Sequence, residues 1–229
     1  MSEKPLISFV MPVYNRLEWV GESVMSVLSQ SYPNFELILI DDGSTDGTWE
    51  FLSEWLKDNK KVRLIKNPVN MGAGPTRHKG TILANGEIVF VCDSDDINIV
   101  ERAEETMKWF EENPDSELVN FPYVSVGYNN EIVEPYEGMD FDHEEFKKSG
   151  KVSYFCNPTV AYKKKSYLQT DGYFKESKTE TDDIQFVRNW IKAGKKIDFK
   201  PGEPLLLHRV LPDSMMSGLR GFDPKWVTA

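Results

Sequence analysis

The sequence predicts an α/β fold: a Rossmann-like, mostly parallel central sheet with helices on both faces and a C-terminal portion that completes one side of a cleft. Three observations predict it. Apolar runs of strand length alternate with segments of helical period through the first half. At 229 residues and 40% hydrophobic content the chain can bury one sizeable core. Three polar clusters then close apolar runs of strand length: Tyr14-Asn15-Arg16, Asp41-Asp42-Gly43-Ser44 and Asp93-Ser94-Asp95-Asp96. In parallel sheets, ligands bind beyond the carboxyl ends of the strands, which is where these clusters fall.

Leu6 to Val13 reads as a buried strand, and Leu17, Val20, Val24, Val27 and Leu28 follow at helical spacing. Phe35 to Ile40 is a second strand. Thr48 to Lys57 reads as a helix, with Asp46 as its N-cap. Val62 to Ile65 is a third strand. A helix follows from Pro75, suited to a first turn, to Ala84, and Asn85-Gly86 ends it. Ile88 to Cys92 is the fourth strand and Val100 to Phe110 another helix. Beyond about residue 115 the pattern changes. Glu117 to Val126, Glu131 to Glu134 and Pro158 to Tyr162 read as strands, Asp182 to Ala193 as a helix ended by Gly194, and Ile197 to Phe199 and Leu205 to Leu207 as closing strands. No Ser/Gly linker divides the chain, so residues 1–229 are expected to form one domain, with the second half (116–229) continuing the sheet of the first (1–115).

The net charge of −10 argues against general nucleic-acid binding, because no broad positive field drives counterion release. Lys163-Lys164-Lys165 is expected to be a solvated surface run. Cys92 and Cys156 make no disulfide framework, and a reducing compartment suits them. The first residues lack a signal-peptide pattern, and no apolar stretch approaches the ~20 residues that span a bilayer. A cytoplasmic protein is expected, with peripheral membrane contact left open.

Three carboxylates at the end of one apolar strand repel each other and compete for water. A divalent cation between them reverses that balance, and Mg²⁺ takes one or two carboxylates together with substrate phosphates. Asp93 and Asp95 are therefore candidate ligands of a metal on a diphosphate, while Asp95 and Asp96 could instead cap the next helix. Asp42 can accept the imide N–H of a uracil ring, whereas Gly43, Asp46 and Gly47 fit ordinary turn chemistry. Gly72-Ala73-Gly74-Pro75-Thr76-Arg77 lacks the third glycine of a dinucleotide fingerprint, which argues against a nicotinamide site. Arg77 there either reaches an anionic ligand or lies on the surface. Asp182 and Asp183 at a helix start either complement the macrodipole or supply a general base. His78, His143 and His208 show no metal-ligand spacing, and the tryptophans sit mostly at apolar-face positions.

Taken together these stretches resemble the family 2 glycosyltransferases of GT-A fold. The resemblance rests on Val10-Met11-Pro12-Val13-Tyr14-Asn15, Ser26-Val27-Leu28-Ser29-Gln30, Ile40 to Thr48, Asn70-Met71-Gly72, Arg77 with Gly80, Cys92 to Asp96, and Asp182-Asp183. It implies metal-dependent, inverting transfer of a sugar from a nucleotide-diphosphate donor, a UDP-sugar, to a hydroxyl acceptor. That acceptor would be a glycan, a lipid-linked glycan or another hydroxyl compound, in surface polysaccharide or glycoconjugate synthesis. By the same resemblance Pro12, Val13, Tyr14, Asp42, Arg77, Asp93 and Ser94 hold the nucleotide, Asp93 and Asp95 bind Mn²⁺ or Mg²⁺, Asp183 is the catalytic base, and the second half is the acceptor side. The segment Leu207 to Ser214 resembles a Tyr-Arg-x-His stretch with His208 at the tyrosine position and Leu211 at the histidine position, which argues against a histidine third ligand and leaves open whether His208 replaces it. A catalytically silent sugar-nucleotide-binding protein is the alternative. A nucleotidyltransferase would want a Gly-rich basic loop after the first strand, and Met11 to Arg16 offers none.

Overall fold

The computed structural model describes residues 4–136, 142–149, 156–174 and 181–211; Trp226 and residues 212–214 of the C-terminal segment lie outside them. The first half alternates as its periodicity dictates: β1 (Ile7–Val13), α1 (Val20–Leu28), β2 (Phe35–Asp41), α2 (Thr48–Trp55), β3 (Val62–Lys66), α3 (Ala73–Leu83) and β4 (Ile88–Val91). A two-residue strand, β5 (Ile97–Asn98), precedes α4 (Arg102–Glu112). The second half contributes β6 (Leu118–Asn120), β7 (Tyr123–Val126), β8 (Ile132–Tyr136), α5 (His143–Ser149), a 3₁₀ turn (Asn157–Thr159), β9 (Ala161–Lys163), α6 (Lys164–Tyr167), α7 (Asp182–Lys192), β10 (Asp198–Phe199) and β11 (Leu206–Arg209).

Seven strands form the main sheet in the order β10-β6-β9-β4-β1-β2-β3. Its neighbours run parallel except at β9, which is antiparallel to both β4 and β6. Period-two alternation sends β1 side chains to opposite faces. Ile7, Phe9, Met11 and Val13 meet Val20, Val24 and Val27 of α1, Leu52 of α2 and Met107 of α4. Val10, with Ile38 and Ile40 of β2, faces Phe146 of α5, Tyr167 of α6 and Trp190 of α7. Helix α3 lies on that second face and approaches β1 through Gly80, where a Cβ would stand 2.4 Å from Val10 Cγ1.

Several expectations are corrected. Glu117 to Val126 is two strands, because Pro122 has no N–H to donate to a ladder. The chain leaves the main sheet there, and Pro122 instead accepts from Leu205 N at 3.1 Å. The second half therefore does not simply continue one sheet: β5-β11-β7-β8 form a separate four-stranded sheet. The expected strand from Pro158 begins as a 3₁₀ turn and pairs only from Ala161. The lysine run is only partly solvated. Lys164 Nζ donates to the carbonyls of Ile82 and Ala84 at the end of α3, at 3.0 and 2.6 Å, and Lys163 Nζ to the Pro114 carbonyl. The N-cap of α2 is Gly47 rather than Asp46, which stands one residue earlier and accepts from Thr48 N through its Oδ1 at 3.0 Å. Both cysteines are free thiols, and Cys92 is buried.

Candidate active site

The ends of β1 and β2 are laced together by polar side chains. Asn15 adopts a left-handed φ of 51°, donates its N–H to Ser44 Oγ at 3.0 Å, and accepts from Thr45 N at 2.8 Å. Asp41 turns the chain by accepting from Gly43 N and Ser44 N. Asp42 is 2% exposed, and its carboxylate accepts from Asn67 Nδ2 at 2.7 Å, Met71 N at 3.0 Å and Gly72 N at 2.8 Å. It thereby fixes the loop that leads into α3. Pro12 and Val13 are buried, while Tyr14 is exposed at the strand end.

Arg77 joins distant parts of the chain. It is buried on α3, so the surface alternative does not hold. One guanidinium nitrogen bonds Asp93 Oδ1, at the end of β4, and another lies 3.7 Å from Asp183 Oδ1, at the start of α7. Its cation stands 5.9 Å from the Tyr173 ring centroid. Burial alone would lower the Arg77 pKa, but the charges of Asp93 and Asp183 hold it above the usual arginine range. Asp183 Oδ1 makes no hydrogen bond among the described residues. Loss of solvent raises the Asp183 pKa to about 6; Arg77 opposes the shift, and Asp93 and Asp182 add to it. Asp182 has a structural part. Its Oδ2 accepts from Gly74 N at 2.7 Å, in the first turn of α3, and a Cβ on Gly74 would meet Asp182 Cγ at 2.6 Å.

Asp95 and Asp96 diverge in role. Arg16 Nε donates to Asp95 Oδ2 at 3.0 Å. Burial raises the Asp95 pKa to about 6, reinforced by Asp96 and Asp93 and opposed by Arg16. Asp96 is fully buried and does not cap α4. Its carboxylate accepts from Arg209 N at 2.8 Å and lies 3.1 Å from His208 Nδ1. Burial would lower the His208 pKa, but Asp96 lifts it to about 9. Arg209 Nε donates to the Asp95 carbonyl at 2.9 Å, and its NH2 to Glu22 Oε2 at 2.7 Å. Ser94 is nearly buried in the same loop. Beside Arg16 a cavity of about 470 Å³ is lined by Asn15, Trp19, Asp46, Tyr128 and Leu211.

The structure thus gathers Arg77, Asp93 and Asp183 directly, with Asp95 two residues on from Asp93. Asp42 joins them only through the loop it braces. Arg209 is a further member that the sequence pattern did not single out, and Arg16 and Asp96, which it placed only in strand-end clusters, join it. No group of three or more His, Cys, Asp and Glu side chains forms a metal site among the described residues. The oxygen donors of Asp93 and Asp95 nevertheless fit a hard divalent cation that fills its shell with substrate phosphate and water.

The family model for "Glycosyl transferase family 2" matches residues 8–170. The glycosyltransferase GlyG of Streptococcus pneumoniae serotype 4 is 30% identical over 99% of this chain and 76% of its own length. Other curated glycosyltransferases are matched over 37%, 44% and 51% of their length, so the chain spans about half of them or less. Among solved structures, residues 1–349 of S. aureus TarS in complex with UDP-GlcNAc superpose with a TM-score of 0.73 at 22% identity, over 92% of this chain and 60% of that one. The mannosyltransferase PcManGT of Pyrobaculum calidifontis, in complex with GDP-Man and Mn²⁺, gives 0.69 at 18% identity, over 95% of this chain and 60% of that one.

Proposed function

Because the chain belongs to glycosyl transferase family 2 and has its GT-A fold, we propose that it moves a sugar from a nucleotide-diphosphate donor, a UDP-sugar, to a hydroxyl acceptor with inversion at the anomeric carbon. One observation carries the reading. A single buried arginine, Arg77, faces both Asp93 and Asp183, so a diphosphate-side carboxylate and a candidate base stand on one guanidinium. The sugar-nucleotide complexes of the two similar structures support the donor class.

Pro12, Val13 and Tyr14 offer the end of β1 to the base, with Asp42 setting the opposite loop. Arg77, Asp93 and Ser94 serve the nucleotide side. Asp93 and Asp95 would hold Mn²⁺ or Mg²⁺, whose charge offsets that of the departing diphosphate. Asp183 takes the acceptor proton as the acceptor oxygen bonds to the anomeric carbon and the bond to the diphosphate breaks. One base on the face opposite the leaving group suffices for inversion. We assign the acceptor to the class the resemblance implies, a glycan or lipid-linked hydroxyl compound. The second half of a single domain would shape that side. A cytoplasmic location suits the two free thiols; among the described residues no helix is long and apolar enough to cross a membrane.

Transfer and donor binding, measured on the purified chain with a panel of UDP-sugars, test the reading. Asp183→Asn is expected to cut turnover by roughly 10²–10⁴-fold while UDP affinity stays within about twofold. Near-normal turnover in that variant removes the base assignment, and UDP affinity indifferent to EDTA removes the metal. Binding without turnover on every donor and acceptor would favour a silent sugar-nucleotide-binding protein.

A further inference from the structure

We propose that Arg102 is a positioning residue of the divalent-cation site: its guanidinium fork fixes both ends of the loop that presents Asp93 and Asp95, so that the loop meets the cation already shaped. The proposal rests on the metal–diphosphate reading of that pair. Arg102 opens α4 and is fully buried. Its Nη2 donates to the Val91 carbonyl at 2.9 Å and to the Val160 carbonyl at 3.3 Å. Its Nη1 donates to Asn98 Oδ1, and Cys92 Sγ lies 3.7 Å from the same nitrogen. Val91 is the last residue of β4 and Asn98 the last of β5, so one side chain grips the chain on either side of residues 92–97. The far grip is itself anchored. Asn98 N and Nδ2 both donate to Ser26 Oγ of α1, at 3.0 and 3.1 Å. The near grip is doubled, because Val91 N also donates to the Val160 carbonyl at 2.9 Å.

Helix α4 has no comparable use for this charge. A cation in the first turn opposes the helix dipole, and a buried charge is costly unless it is paired. The hydrogen-bond partners of Arg102 are all uncharged: two carbonyls, an amide oxygen and the Cys92 thiol, whose pKa burial pushes up to about 11. The rings of Phe121 and Phe90 lie against the guanidinium, with centroids 4.9 and 5.6 Å from its central carbon. Burial lowers the Arg102 pKa, and Asp96, inside the loop, is among the charges that resist the fall. Arginine keeps its proton even so. What the side chain supplies is a rigid planar clamp across the mouth of the loop. Divalent cations take oxygen ligands at narrow distances, and the groups that orient those ligands govern affinity. A lysine carries one compact ammonium and cannot span both ends in a single plane.

Three measurements test this on wild type, Arg102→Lys and Leu56→Ala: Mn²⁺ titration in the presence of UDP followed by electron paramagnetic resonance, UDP binding in EDTA, and urea denaturation. Leu56 is buried just after α2, which packs on the edge strand β3, and its variant controls for lost stability alone. Arg102→Lys is expected to weaken Mn²⁺ binding by roughly 10–100-fold while UDP affinity in EDTA stays within about twofold. Leu56→Ala should lose stability and leave both affinities at their wild-type values. Mn²⁺ affinity in Arg102→Lys that matches wild type overturns the proposal, as does a loss that UDP binding in EDTA or Leu56→Ala shares in equal measure. If the lysine variant does not fold, Asn98→Ala, which removes the far grip and keeps the arginine, decides by the same criterion. Failure of both to fold overturns the proposal, since Arg102 then serves the framework alone. Wild type that binds no Mn²⁺ even with UDP overturns the metal reading, and the positioning role with it.

Discussion

Asp183 is held by opposing forces, and the balance sets a pH dependence. Removal from water raises its pKa to about 6, while Arg77 pulls it down. The base works as a carboxylate, so turnover should climb as pH rises through about 6 and level off above it. Arg77→Gln removes the opposing charge, so the limb should move to higher pH; a kcat–pH profile of both proteins checks this, and an unmoved limb would uncouple the two residues. Asp93, Asp95 and Asp183 were legible in the sequence because acids that close an apolar run or open a helix stand out against the period around them. Arg16 and Asp96 were not. Arg16 was visible beside Asn15, but its partner lies 79 residues away. Asp96 read as a helix cap, yet its partners on β11 are more than 110 residues distant. Local pattern does not register such separations.

Among the elements, the junction of α3 and α7 is the most constrained. Asp182 sits where a side chain on residue 74 would be, and its carboxylate accepts from the Gly74 N–H in the first turn of α3. Gly74→Ala should therefore push the start of α7 away, destabilising the fold by about 1–3 kcal/mol and lowering kcat more than donor affinity. Urea denaturation and steady-state kinetics read the two effects, and a variant with unchanged stability and rate would refute the tight junction. The sequence marked Gly72 and Gly74 as a turn near an anion; the packing against Asp182 needed the fold. The regular elements of the first half were legible because each carries enough apolar residues to show its period. β5 has two residues and α6 four, too few to show any period, and Pro122 split an otherwise continuous strand pattern.

For the molecule as a whole, the small sheet is bolted on by charge. The folded-state pKa of His208, about 9, lies above its ordinary 6.5, so the stabilisation it brings with Asp96 is complete below about pH 6.5 and is lost as pH rises through 9. Thermal melting should fall between about pH 8 and 10, and His208→Gln should flatten that slope; an equal slope in both proteins would assign the loss elsewhere. Fragment 1–115 tests whether the chain is one unit. It lacks β9, which lines the outer edge of β4, so it should aggregate rather than fold; a soluble, monomeric fragment by light scattering would show two independent halves.

The placement of β9 also bears on synthesis. Its strand follows β4 by about 70 residues, and at roughly 5–20 residues per second the ribosome needs several seconds to deliver it. Throughout that interval the nascent polypeptide presents an open, wholly apolar ribbon of Ile88, Val89, Phe90 and Val91 to its surroundings, so slower translation of the middle of the message would lengthen the window for chaperone capture.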